Sequence, residues 1–240
     1  MKKYSLTDET RQFLGKTLYR IKAEISFKDI KKGQLGGYVE NDANLSHQMN
    51  AWVYENAYVF GNARVYGNAR VSGDASVYGN ARVHEKARVS GNVRVSGDTE
   101  ISGNAEISEN AWVSGNAEIS ENAWVYENAC VYGNARVYGN ARVHEKARVH
   151  GNACVSEDAR VYGNARVYGN AEVSKLCLVN IIGLNWNITI SDYHIQIGCE
   201  LHTIEQWEKF TDEEILDMDS NSLNWWKDFK AIILKIAKQR

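Results

Sequence analysis

The sequence predicts an all-β solenoid, a rod of short parallel strands stacked coil on coil. Three observations predict it. From Val53 to Val173 every sixth residue is Val or Ile, and only Ile101, Ile107 and Ile119 depart from Val. Two residues before each stands Ala, except where Val93 and Thr99 replace it. A turn pair such as Gly-Asn follows, and no residue is inserted anywhere along the run.

A spacing of two within each unit means strand: Ala and Val point to one side and their neighbours to the other. Gly-Asn is a turn signal, so each unit is a short strand and a bend. A period of six is not helical, because six helical residues turn through about 600° and the Val would wander around the axis. Identical units also disfavour stacked hairpins. Each strand is expected to pair in parallel with its own copy one coil later. Val suits the interior because it is compact and β-branched. Ala suits the space beside the corners. Of the two turn positions, the first is Gly or Glu and the second mostly Asn, with Asp74, Asp98 and Asp158. Asn accepts a positive φ more readily than Glu, so the left-handed residue is assigned to the Asn position, with Lys86 and Lys146 mildly strained there. Stacked Asn side chains are expected to form hydrogen-bonded ladders.

The hexad Val-Tyr-Gly-Asn-Ala-Arg resembles the hexapeptide repeat of left-handed parallel β-helices, the trimeric LpxA-like superfamily. About twenty consecutive units carry the resemblance, over half of the chain. It implies a left-handed parallel β-helix with three hexads per coil. Residues 29–57, DIKKGQLGGYVENDANLSHQMNAWVYENA, resemble the segment leading into the repeat of bacterial and phage hexapeptide-repeat proteins labelled as transferases, whose role is unassigned. Gly36, Gly37, Leu45 and Ser46 carry this second resemblance outside the periodic pattern.

Three zones follow: an N-terminal β cap and lead-in (1–50), the repeat (51–174) and a C-terminal cap (175–240). Caps are needed because a solenoid ends in open strand edges that invite aggregation. Residues 18–25 alternate like a strand, and 31–37 read as a turn-rich lead-in. Residues 176–182 and 187–197 read as a β-hairpin with a turn near Ser191 and Asp192, followed by two helices. Thr203 with Gln206, and Thr211 with Glu214, have capping-box spacing. The last helix, from about Ser222, places Leu223, Trp226, Phe229, Ile233 and Ile236 on one face. That stripe is expected to pack on the last coil or to serve self-association.

Composition narrows the function. The net charge of −2 gives no general attraction to nucleic acid or anionic membranes. There is no apolar run of membrane-spanning length, and MKKYSLTDETRQF is not a secretory signal. Cys130, Cys154, Cys177 and Cys199 match no zinc spacing and are read as free thiols in a reducing compartment. The phage resemblance suggests the bacterial cytoplasm, the host's if the chain is phage-encoded.

Superfamily enzymes, mostly acyltransferases, are similar in using a histidine near a subunit cleft. The repeat offers them little. His144 and His150 lie six residues apart, on different faces, so a site of converging imidazoles is not expected. An unbroken coil supplies no pocket wall. SGNAEISENAWV at 102–113 recurs letter for letter at 114–125, two hexads rather than three. Growth of that kind moves outward residues to another face, which suits a rod better than a catalytic constellation. No catalytic residue, cofactor or metal is expected.

What remains are outward columns. At 18-residue spacing Tyr126, His144 and Tyr162 stack on one face, with Arg142 and Arg160 beside them. Tyr132, His150 and Tyr168 stack on the next, with Arg148 and Arg166. Such columns could bind an extended ligand through stacking and charge. Charge is also banded, basic from Arg64 to Arg94 and acidic from Asp98 to Glu121. The expectation is a non-enzymatic structural or binding module with an unknown protein or extended ligand as partner. An acyltransferase working at intersubunit clefts is one alternative, and a decoy binding through the Tyr, His and Arg ladders is another.

Overall fold

The computed structural model describes residues 2–174, 179–181 and 184–239. Three N-terminal strands, β1 (Tyr4–Phe13), β2 (Lys16–Ala23) and β3 (Leu35–Val39), lead into the repeat. Two-residue strands then recur every six residues, from β4 (Trp52–Val53) to β24 (Glu172–Val173). From β4 to the strand at Cys154–Val155, each pairs in parallel with the strand three places on, so Arg88 faces Glu106, Trp112 faces Cys130 and Arg136 faces Cys154. The register is therefore 18 residues, and three parallel sheets enclose a tube. Face 1 runs from Trp52–Val53 to Arg160–Val161, face 2 from Tyr58–Val59 to Arg166–Val167, and face 3 from Arg64–Val65 to Glu172–Val173.

The inward Val, Ile and Ala of the repeat are all buried, in one continuous core. The coils are also joined by backbone hydrogen bonds that continue through the corners. Tyr58 N donates to Ala75 O (2.8 Å), Phe60 N to Val77 O (3.0 Å) and Asn62 N to Gly79 O (2.8 Å). This pattern explains a correction to the corner assignment. The positive φ falls on the first turn position, as in Gly61 (67°), Glu85 (57°) and Glu109 (61°), not on Asn. The carbonyl of that first residue accepts the N–H of the second residue one coil earlier, as Glu109 O does from Asn92 N (2.6 Å). Lys86 and Lys146 do not have positive φ and carry no strain on this account. A left-handed non-glycine residue costs roughly 1–2 kcal/mol. Several Glu recover part of it, because their carboxylates accept a backbone N–H one coil on: Glu55 from Gly73 (2.7 Å), Glu85 from Gly103 (2.6 Å) and Glu121 from Gly139 (3.1 Å). The Asn position carries the expected ladder. Asn104 donates to Asn122 (3.0 Å), Asn122 to Asn140 (3.2 Å) and Asn140 to Asp158 (3.0 Å).

Thr99 is the one hydroxyl in an inward Ala slot; it is fully buried, and its Oγ1 has no hydrogen-bond partner. Val93, one unit earlier in the same slot, shows that a branched side chain fits. Thr99→Val is expected to stabilise the rod by about 1–3 kcal/mol, the usual cost of an unsatisfied buried group. A urea midpoint unchanged or lower than that of the wild type contradicts this.

At the N-terminus, β1 and β2 form an antiparallel hairpin, β2 pairs with β3, and β3 joins face 2 through Tyr38 opposite Tyr58. The expected strand at 18–25 is β2. Strand β1 was hidden from pattern reading because its TDETRQ stretch is polar, with most of its side chains exposed, as suits an edge strand. Tyr4, Phe27 and the fully buried Trp52 close the first coil, with Phe27 and Trp52 rings 5.5 Å apart. Lys3 Nζ donates to Ala51 O (2.8 Å) in the same place, and burial pulls its amine down to about 8.

The C-terminal part is larger than a hairpin and two helices. Strands β25 (Val179–Ile181), β26 (Ile188–Ile190), β27 (His194–Ile197) and β28 (Glu200–Thr203) form an antiparallel sheet. Residues 176–178 and 182 of the expected first strand, and Cys177, lie outside the described residues. Three helices follow, α1 (Ile204–Lys209), α2 (Asp212–Met218) and α3 (Ser222–Lys238), and both expected capping boxes are formed. Each box starts its own helix, α1 after Thr203 and α2 after Thr211, and with α3 from Ser222 they make three helices where two were expected.

The α3 stripe packs on this module's own sheet rather than on the last coil. Trp226 and Ile233 are buried with Ile188, Ile190 and Ile195, and Leu223, Phe229 and Ile236 pack around them. Leu201 ties the module to the rod core. Among the described residues no helix is long and apolar enough to cross a membrane.

Candidate ligand-binding ladders

The parallel register builds the outward columns. Any residue following an inward Val sits over its counterpart one coil away, at the strand spacing of about 4.8 Å. On face 1 the Tyr126 and His144 rings are 4.8 Å apart and within 4° of parallel, and His144 and Tyr162 are 5.6 Å apart at 17°. On face 2 Tyr132 and His150 lie 4.7 Å apart at 5°, and His150 and Tyr168 5.1 Å apart at 13°. The structure thus brings together each predicted ring column. Sequence reading passed over two shorter stacks, Phe60 on Tyr78 and Tyr66 on His84.

The arginines run alongside. Arg142 pairs with Arg160 across face 1, and Arg148 with Arg166 across face 2. Like charges facing each other destabilise a sheet slightly. Arg142 offsets this by lying over the Trp124 ring, 5.1 Å from its centre. The charge bands meet within the chain: Arg88 bonds Glu106 one coil on at 3.0 Å, and His84 bonds Glu100 at 3.0 Å.

Burial shifts the titration of His150, Tyr126 and Tyr168. It lowers His150, and Arg166 and Arg148 push in the same direction, which disfavours the charged imidazolium. Burial raises Tyr126, with Arg142 opposing. It raises Tyr168 to about 12, and that phenol donates to Gly198 O (2.6 Å).

Gly198 belongs to the C-terminal module, which supplies beside face 2 the wall that an unbroken coil was not expected to provide. The wall comes from the cap rather than the coil. A hollow of about 480 Å³ lies where the face 2 ladder meets the sheet, lined by His150, Arg166, Tyr168, Trp186, Gln196 and Cys199 among others. Trp186 and Gln196 carry no periodic signal, so only the folded contact reveals them. Gly198 admits Trp186 closely; a Cβ there would lie 2.8 Å from its ring. The Cys199 thiol faces Glu200 (3.7 Å), and His202 Nε2 bonds the other oxygen of that carboxylate (3.2 Å).

A family model described as the YdcK beta solenoid repeat matches residues 57–73, 63–79, 87–99, 129–145 and 159–174. No curated protein matches the chain. All the matched segments lie in the rod, and with the 18-residue parallel register they identify the chain as a β-helix repeat protein.

Proposed function

We propose that this protein is a non-enzymatic binding module whose rod holds an extended ligand along faces 1 and 2. The observation that carries this reading is the face 2 column: stacked Tyr132, His150 and Tyr168 beside paired Arg148 and Arg166, running into the hollow at the cap. Flat rings favour sugar or base faces, guanidinium groups favour carboxylate, sulfate or phosphate, and the hollow receives one end of the chain. An acidic glycan combines these features. The overall charge of −2 does not favour nucleic acid. His144 and His150 are each sandwiched between two Tyr rings, a poor setting for the mobile general base an acyltransferase needs. The resemblance to left-handed LpxA-like rods and to phage proteins in the bacterial cytoplasm belongs with this proposal.

The test replaces Arg142, Arg148, Arg160 and Arg166 together with Ala. Binding to an array of acidic oligosaccharides is expected to fall at least about tenfold, since one charge-assisted hydrogen bond contributes roughly 1.5–3 kcal/mol. The melting temperature is expected to stay unchanged or rise slightly. Equal binding by the variant, or no binder on the array for the wild type, defeats the proposal.

A further inference from the structure

The hexapeptide Val-His-Glu-Lys-Ala-Arg occurs twice, at 83–88 and 143–148. In the first copy both polar groups are satisfied. His84 Nε2 bonds Glu100 (3.0 Å), and the Glu85 carboxylate accepts the N–H of Gly103 (2.6 Å). In the second copy neither has a hydrogen-bond partner among the described residues. The Glu145 carboxylate lies beside Gly163, the equivalent residue one coil on, but makes no hydrogen bond to it. Among the described residues, the His144 imidazole stacks between the Tyr126 and Tyr162 rings and makes no hydrogen bond or ion pair.

The difference lies one coil back. The residue beneath Glu85 is Gly67, whereas the residue beneath Glu145 is Glu127, and beneath that is Glu109. All three Glu hold the left-handed corner conformation, at φ 61°, 58° and 61° in order along the chain. The register therefore forces like charges onto successive rungs about 4.8 Å apart. Glu127, Glu145 and His144 each place a donor atom within 4.8 Å of the other two. Lys146 lines the same surface hollow yet forms no ion pair with either carboxylate.

We propose that Glu127, His144 and Glu145 form a binding site for one divalent transition-metal ion. Two carboxylate oxygens and an imidazole nitrogen suit Zn²⁺, Mn²⁺ or Co²⁺ better than Mg²⁺ or Ca²⁺, which favour oxygen alone. Ligands on one such ion stand about 3–3.5 Å apart, at bond lengths of about 2.1 Å. Closing from 4.8 Å is within reach of two Glu side chains with three rotatable bonds each. His144, clamped between two rings, is the fixed point. The ion neutralises the carboxylate column, and its remaining positions face solvent. Spacing in the sequence excludes converging imidazoles but does not reveal a set of one imidazole and two carboxylates from neighbouring coils.

Calorimetric titration of the full chain with Zn²⁺ and with Mn²⁺ tests the site. The wild type is expected to bind one ion, and Glu127→Gln and His144→Phe to weaken binding at least about tenfold each. Phe keeps the ring stack, so that loss reports the donor rather than the packing. His84→Phe, in the matching hexapeptide, is expected to bind as the wild type does. Lys146→Ala removes a competing ammonium and is expected to tighten binding. No binding of either ion at about 1 mM, or equal affinity for the His144→Phe and His84→Phe variants, overturns the proposal.

Discussion

Gly37→Val is expected to destabilise the N-terminal half of the protein by about 3 kcal/mol or more, beyond the usual cost of overpacking. Gly37 lies in β3, where the cap passes into the rod. A Cβ there would sit 2.6 Å from Ala57 O, 2.7 Å from Val53 Cγ1 and 3.0 Å from Tyr54 O. The carbonyl of Ala57 is not free to retreat, because it accepts the N–H of Tyr38 (2.9 Å). Neither Gly36 nor Gly37 has a positive φ, so the demand is for space rather than for an unusual backbone. Gly36 is equally confined, with Val53 O, Ile21 and Trp52 all within 2.8 Å of its missing Cβ. Urea unfolding read by Trp fluorescence measures the loss. Coils beyond residue 131 should keep their hydrogen-exchange protection, since a solenoid coil contacts only its neighbours. A shift below about 1 kcal/mol would show that the junction yields.

Val113→Asp is expected to break the rod in the middle. Val113 is fully buried and stacks between Val95 and Val131. The side chains stacked directly on it, Val95 and Val131, offer a carboxylate no donor. An unpaired buried charge costs several kcal/mol at least, and the group will take up a proton in preference to remaining ionised. The wild-type rod is expected to melt as one unit. The variant should melt in two steps, with early exchange centred on residues 95–131 and the two ends melting apart. It should recover partly at low pH, where the new carboxyl is neutral. A single transition close to that of the wild type would mean that the coil tolerates water at this point.

How much of this was legible in the sequence depended on periodicity. The six-residue spacing of Val53 to Val173 dictates strand, inward face and stacking together, so the ring columns of Tyr126 and Tyr132 could be located before any coordinates. Propensity taken residue by residue misplaces the left-handed corner residue. Glu resists positive φ in isolation, but Glu55, Glu85 and Glu121 each gain a backbone N–H from the next coil, a compensation no single hexad displays. Strand β1 escaped because its polarity serves an edge. The hollow at the cap escaped because Trp186 and Gln196 meet His150 and Arg166 only after two non-periodic segments fold back. The α3 stripe was read correctly as a packing surface, but its partner was the module's own sheet.

Three strands to a coil also tie length to direction. Each added hexad lifts the far end by about 1.6 Å and swings it through a third of a revolution, given a coil height of about 4.8 Å. The twelve-residue duplication at 102–125 therefore did more than extend the protein. Two added hexads turn everything that follows them by two thirds of a revolution relative to the N-terminal hairpin, so hexad count modulo three acts as a compass setting for whatever is attached at the two ends.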